Sequence, residues 1–295
     1  MEPEAGSRTA VRLAAARKRA ESLPGGVLTA EVLANERDLG GGLIAGGVAF
    51  RVFLWIVPFG LVVATLLSFW SDHDREGFED AARSFGVSAA ATGAATEALE
   101  HGDRNAGLVL AFGLVLLVWF TLGALRALVL SYALAWQLKP PRLRRPVAAI
   151  LLFNGLFALY AVASAGVVWL RVEIGATALL STVATIALAT GIALCAMLFL
   201  PHRARRPREL LPGALLIAVG DHVLHVAVLF YFAPRLGRAE ETYGAFGAAA
   251  TILVWLYVIA RLATGAAFLN ATLWARSAGR PTPDGADFEW VDDRA

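Results

Sequence analysis

Residues 42–70 read GLIAGGVAFRVFLWIVPFGLVVATLLSFW, an apolar run with one charge in it, Arg51. A helix needs roughly 20 mostly apolar residues to cross a hydrocarbon core, and this run exceeds that. Lipid offers no partner to backbone N–H and C=O groups, so a spanning segment satisfies them internally, as a helix. A membrane barrel would alternate polar and apolar residues, and this run does not. Pro58 lies inside it and predicts a kink.

Working outward, five more runs of this kind follow, at about 106–133, 147–170, 177–200, 212–233 and 245–274. They predict an all-α polytopic membrane protein with about six transmembrane helices. Composition agrees: 58% of the 295 residues are hydrophobic and only 17% are charged, too few to cover a soluble domain of this length. Mean hydropathy is +0.62. The first apolar run begins late and is too long for a signal-peptide core, so no cleavable leader is expected.

Lys and Arg set the orientation. They crowd the N-terminal segment (Arg8, Arg12, Arg17, Lys18, Arg19), the second-to-third loop (Lys139, Arg142, Arg144, Arg145) and the fourth-to-fifth loop (Arg203, Arg205, Arg206, Arg208). Arg276 and Arg280 follow the last span. With six spans these segments share one side, which predicts both termini in the cytoplasm. The opposite side has a long acidic loop with Asp72, Asp74, Glu76, Glu79, Asp80, Glu97, Glu100 and Asp103.

Three regions result. Residues 1–41 form a cytoplasmic, interfacial segment, with short amphipathic helices at 8–23 and 29–39 broken by Pro24-Gly25-Gly26. Residues 42–275 form the transmembrane domain, with 71–105 as an outer loop carrying a helix near 77–101. Residues 276–295 form a disordered tail, rich in acids and proline.

Polar groups inside spans are costly to bury and so carry information. Arg51, Arg126 and Arg261 all map to the inner half of the bilayer, and Asp221 is the one clear carboxylate at membrane depth. His222 and His225 accompany Asp221 on the fifth span. Asp221 and His225 are four apart and share a face. Asn154 and Asn270 add neutral polar groups. The arginines outnumber the acid by three to one. One reading is a basic cavity for an anionic headgroup, because guanidinium grips phosphate bidentately. The other is interhelical pairing, or snorkelling to the interface. Asp221, His222, His225, Asn154 and Asn270 suit either a proton relay or packing hydrogen bonds.

Other features are architectural. Gly42 and Gly46 fit a close-packing GxxxG pattern. Trp70, Trp119, Trp136, Trp169 and Trp274 are candidates for the interfacial belt, with Trp55 and Trp255 deeper. The chain has one cysteine, Cys195, so an intramolecular disulfide is excluded and a cysteine metal site is not expected. It has no Walker loop, HExxH, CxxC or GxSxG. No cofactor, metal or enzymatic activity is expected, and the sequence sets no oligomeric state.

Four stretches, in order and spacing, carry a family resemblance over about residues 30–276. They are Ala49-Phe50-Arg51-Val52-Phe53-Leu54-Trp55-Ile56-Val57-Pro58; Arg126-Ala127-Leu128 through Trp136; Leu211-Pro212-Gly213-Ala214 leading to Tyr231; and Tyr243-Gly244-Ala245-Phe246-Gly247 with Trp255-Leu256-Tyr257 and Gly265-Ala266. The chain resembles the YihY/virulence factor BrkB family of bacterial inner-membrane proteins. It departs from the family where many relatives have Tyr near Phe50 or Arg51, and Glu where Ala267 stands here. The resemblance implies an inner-membrane location and a role in the envelope, with lipid movement among the associations. The family was formerly labelled ribonuclease BN, a label regarded as a misassignment. This sequence agrees, having no acid–base pair or metal cluster suited to phosphodiester cleavage.

Three functions follow as expectations. The first is a transporter or flippase of an anionic amphiphile such as a phospholipid, with Arg51, Arg126 and Arg261 at the headgroup. The second is a non-catalytic, lipid-binding envelope scaffold, with the arginines paired internally. The third and weakest is a membrane-associated ribonuclease. The expected partners are membrane lipids and not nucleic acid.

Overall fold

The computed structural model describes residues 25–70, 106–143, 145–173, 178–227 and 245–279. The helices expected at 8–23 and 77–101 and the tail from Arg280 lie outside these residues. The described residues are helical, with no strand among them. The helices are α1 Gly26–Asp38, α2 Gly41–Trp70, α3 Ala106–Ala135, α4 Pro146–Glu173, α5 Ala178–Phe199, α6 Leu211–Ala227 and α7 Ala245–Ser277. Among them α2, α3, α4, α5 and α7 are long and apolar enough to cross a membrane. α6 is a shorter apolar helix, and the rest of the predicted fifth span, to 233, lies outside the described residues.

The chain is a polytopic α-helical membrane protein, and its surface says so. Leu43, Val57, Phe112, Trp119, Val147, Leu151, Val162, Leu179 and Phe246 all stand exposed. A soluble protein does not leave so many large apolar side chains outside. The core is built largely from small residues: Ala45 and Ala49 of α2 pack on Leu256 and Ala260 of α7. Small side chains let backbones approach, which is where helices gain packing energy in lipid.

α2 runs between α3 and α7. A Cβ on Gly123 would meet Arg51, and one on Gly113 would meet Leu61 and Val62. The two contacts run in opposite chain directions, so α2 and α3 are antiparallel. α2 continues unbroken through Pro58, whose ring leaves the Leu54 carbonyl without its helical donor. Trp55 is buried and packs on Phe59, Phe153 and Phe157. It is the centre of an aromatic core between α2 and α4 and has no place in an interfacial belt.

α6 and α7 meet at two glycines. A Cβ on Gly213 would fall 2.7 Å from the Ala266 carbonyl, and one on Gly220 would fall 2.4 Å from Leu262. At the same end of the bundle, Tyr132, Trp136, Met197, Leu210, Ala214 and Phe268 form one core cluster, and Val32 of α1 plugs into it. The second predicted interfacial helix is thus α1, and it is docked on the bundle. Val27 and Leu33 of α1 remain exposed, as a helix at a lipid interface would leave them.

Candidate functional site

Arg51 projects from α2 onto the surface of α3 at Gly123. A Cβ there would stand 2.9 Å from Arg51 Nη1 and 3.4 Å from its Cδ. Glycine is therefore the notch that seats the guanidinium. Arg126 is three residues further along α3, so its Cβ lies about 5–6 Å from the notch, on the neighbouring position of the same face. The two also agree in depth. Arg51 lies about 15 Å from the start of α2, and Arg126 about 14 Å from the end of α3, at 1.5 Å per residue. Those two ends are on the same side of the bundle because the helices are antiparallel. Both arginines are exposed at the side of the bundle, and neither pairs with a described acid.

The wall of this seam is polar too. Trp55, one turn beyond Arg51, donates from Nε1 to Asn154 Oδ1 at 3.2 Å. Asn154 Nδ2 donates to Thr121 Oγ1 at 3.2 Å and to the Ile150 carbonyl at 2.9 Å. Asn154 thus ties α4 to α2 and α3, at a level one turn along α2 from Arg51. Two like charges in a medium of low dielectric repel strongly. An anion whose oxygens accept from both forks relieves that repulsion.

Arg261 is differently placed. It donates from Nη1 to Glu36 Oε1, and from Nη2 to Oε2 at 3.0 Å. Glu36 is buried, and a Cβ on Gly41 would collide with its Cγ. Burial pushes the Glu36 carboxyl above the usual carboxylate range, and Arg261 pulls it back only in part. Arg261 also lies 3.7 Å from the position a Cβ on Gly42 would take. Gly42 and Arg51 are nine apart on α2, half a revolution round the helix and about 13 Å along it. Arg51 and Arg261 therefore sit on opposite faces of α2. Asn35 and Glu31 continue the α1–α7 contact, with Thr272 at 3.4 Å and Arg276 at 2.8 Å.

Asp221 makes no ion pair with an arginine among the described residues. It accepts a hydrogen bond from the Tyr160 hydroxyl of α4 at 2.5 Å. His222 is half-buried beside it, and the His225 side chain lies outside the described part. Asn270 is fully buried and structural. Its Oδ1 accepts from the Gly213 N–H at 2.8 Å, and its Nδ2 donates to the Leu210 carbonyl at 3.1 Å, closing the first turn of α6. Among the described residues no three His, Cys, Asp or Glu side chains gather as a metal site would require.

The family model for virulence factor BrkB matches residues 35–288. The chain belongs to the virulence factor BrkB family. No curated protein and no solved structure matches it. The BrkB match takes in the two-arginine seam, the Tyr160–Asp221 pair and the Asn270 cap, and begins one residue before Glu36. Leu211-Pro212-Gly213-Ala214 gains a physical reason here: Gly213 is the residue on which Asn270 and Ala266 close. Trp136, ending the second stretch, is packed on Trp274 of α7 with ring centroids 5.9 Å apart.

Sequence reasoning missed Glu36, Gly123 and Tyr160. Glu36 sits in a short helix of mixed charge, where a buried carboxylate leaves no periodic trace. Gly123 is one of 28 glycines. Tyr160 lies in a long apolar run and reads as an ordinary aromatic. The one signal toward it was Asp221 itself, a carboxylate at membrane depth that has to find a donor.

Proposed function

We propose that this BrkB-family protein binds an anionic amphiphile, a phospholipid above all, and moves its headgroup across the bilayer. One observation supports the reading: Arg51 and Arg126 lie at matching depth on one lateral seam, with no acid among the described residues to neutralise them. Two guanidinium forks about one helical turn apart suit a phosphate, and a seam open to the side leaves the acyl chains in lipid. The protein acts without catalysis and without nucleic acid, in the bacterial inner membrane, with both termini in the cytoplasm. The chain lacks a P-loop, so ATP hydrolysis by that route does not drive it.

The test is reconstitution of the full chain into liposomes of anionic and zwitterionic phospholipid, with headgroup accessibility followed by a membrane-impermeant quencher. Anionic headgroups should exchange faster than in protein-free vesicles, and Arg51→Ala and Arg126→Ala should each abolish most of the gain. Exchange that is unchanged in both variants would sink the site assignment.

A second reading is favoured by one specific contact. The arginine of α7 is tied to Glu36 by two hydrogen bonds, as a non-catalytic scaffold that pairs its charges internally would have it. Anionic lipid that binds at the seam without exchanging between leaflets would favour the scaffold.

A further inference from the structure

The carboxylate of Asp221 stands apart from the two-arginine seam and has no use in the reading above. It is half-buried on α6, a helix flanked by α5 and α7. The Tyr160 hydroxyl reaches it from α4 at 2.5 Å. Ser164 lies one turn along α4 from Tyr160, on the same face. The Ser164 hydroxyl is buried, and the group it interacts with is the Tyr160 hydroxyl.

We propose that Asp221, Tyr160 and Ser164 form a proton-binding site inside the bundle. The unprotonated site has the observed pattern: the Tyr160 O–H donates to the Asp221 carboxylate, and the Ser164 hydroxyl faces the Tyr160 oxygen as a donor. When a proton from water binds Asp221, the carboxylate becomes a carboxylic acid. Its O–H now donates to the Tyr160 oxygen. The Tyr160 hydrogen is released to turn toward Ser164, whose oxygen accepts it. Both states thus leave each group a partner to make, with one proton gained and no other bond changed.

The surroundings favour a proton over other occupants. No described arginine or lysine pairs with Asp221, whose described partner is the Tyr160 hydroxyl. The site's four side-chain oxygens fall short of the six or more that a hard metal cation such as calcium takes. The groups that could compete are few. α5 carries only Cys195 among its described titratable groups, and it is exposed. α7 turns Leu262 toward α6 at Gly220, while its Tyr257 and Arg261 face Gly42 of α2. The 3-10 turn beside α6 brings Arg208 and Glu209, at the opposite end of the helix. On α6 itself His222 follows Asp221 directly and is half-buried.

The test needs no transport. The full chain in lipid nanodiscs is titrated from alkaline to acid pH, and infrared difference spectra follow the C=O stretch of protonated carboxyls. The wild type should gain a band on acidification that is lost in Asp221→Asn. In Tyr160→Phe the band should persist at a shifted frequency, because the acid has lost its acceptor. Ser164→Ala should shift it by less. A spectrum in which Asp221→Asn matches the wild type at every pH overturns the proposal, as does a band that answers to sodium and not to pH. Should Asp221→Asn fail to fold, an unshifted band in Tyr160→Phe overturns it as well. Failure of lipid exchange in liposomes leaves this result untouched, so the two readings fail separately.

Discussion

Arg261 holds Glu36 with both arms of its guanidinium, across 225 residues of sequence. The pair joins α1 to α7, and with it the N-terminal helix becomes part of the bundle. Its worth depends on breaking one side at a time. Glu36 is buried, with its side chain 5% exposed, whereas Arg261 retains 34%. Removing the arginine leaves a buried acid, and removing the acid leaves a cation that can still reach water. Arg261→Ala should therefore cost about 2–3 kcal/mol and Glu36→Ala about 1–2 kcal/mol. The double variant should fall well short of the sum. Thermal unfolding of the three variants in detergent measures all three values, and strict additivity would show that the two side chains do not interact.

The same pair sets a pH dependence. Burial, the largest cause, holds the Glu36 carboxyl above its usual range in spite of Arg261. A carboxyl whose folded value exceeds its unfolded one contributes stability that is full below the unfolded value. That contribution is lost as pH rises through the folded value. Glu36→Gln has no such titration. The stability of the wild type minus that of Glu36→Gln should therefore fall as pH rises from the acid side. A difference that climbs with pH would mean that Arg261 outweighs burial.

Gly123 tests the seam without touching an arginine. A methyl there meets the far end of Arg51, which can swing away, so the fold loses little. Alanine even restores some of the backbone entropy that glycine costs in a helix, about 0.5–1 kcal/mol. Gly123→Ala should leave the melting temperature equal or slightly raised. It should weaken binding of anionic phospholipid about tenfold, or ~1.4 kcal/mol, by misplacing one fork. Native mass spectrometry of the two proteins with anionic lipid compares them directly, and equal lipid retention would show that Arg51 is not seated for a ligand.

The difference between Gly123 and the helices themselves shows what a sequence can carry. Apolar runs were legible because the bilayer imposes a length on them: five of the six predicted are described helices long enough to cross it, and α2 and α7 begin within a residue of where hydropathy puts them. Arg51 and Arg126 were legible as costly residues. Their shared seam was not, because it depends on which faces of α2 and α3 meet, and both helices are apolar nearly all round. Arg261 was expected beside them. Half a revolution of α2 separates it from Arg51, and its partner comes from outside the spans. Asp221 takes a tyrosine hydroxyl, a choice made by packing between α4 and α6 that no spacing along one helix encodes.

The end of α3 offers a stabilising change. Gln137 has φ of 51°, in the left-handed region that glycine occupies without cost. It closes the helix as a double cap: the Leu138 N–H reaches the Ala133 carbonyl at 2.7 Å, and the Gln137 N–H reaches that of Leu134 at 3.0 Å. Its carbonyl, which accepts from Arg203 at 3.1 Å, is backbone and survives substitution. Gln137→Gly should raise stability by about 0.5–1 kcal/mol. A loss on thermal unfolding would mean that the glutamine side chain contributes more than its strain costs.

Asn270 should be the most sensitive neutral residue in the bundle. Its amide holds the Gly213 N–H, which has no helical partner at the first turn of α6, and adds a second donor to the Leu210 carbonyl, which also accepts from the Ala214 N–H at 3.1 Å. Asn270→Ala strands the Gly213 N–H in a buried place and leaves the Leu210 carbonyl with its helical donor only, which should cost about 1–3 kcal/mol. Asn270→Asp separates the two bonds, since it keeps an acceptor for Gly213 and turns a second acceptor against Leu210. It should be at least as damaging, because it also buries a charge without a counter-ion. Gly213→Ala should be damaging by a different route, driving a methyl to 2.4 Å from the Asn270 Nδ2 and 2.7 Å from the Ala266 carbonyl. The two sites share one contact, so Asn270→Ala combined with Gly213→Ala should cost less than the sum of the singles: truncating the amide clears part of the space the new methyl needs. Unfolding of the four variants decides it, and a double variant at or beyond the sum would mean that the Ala266 backbone alone sets the limit.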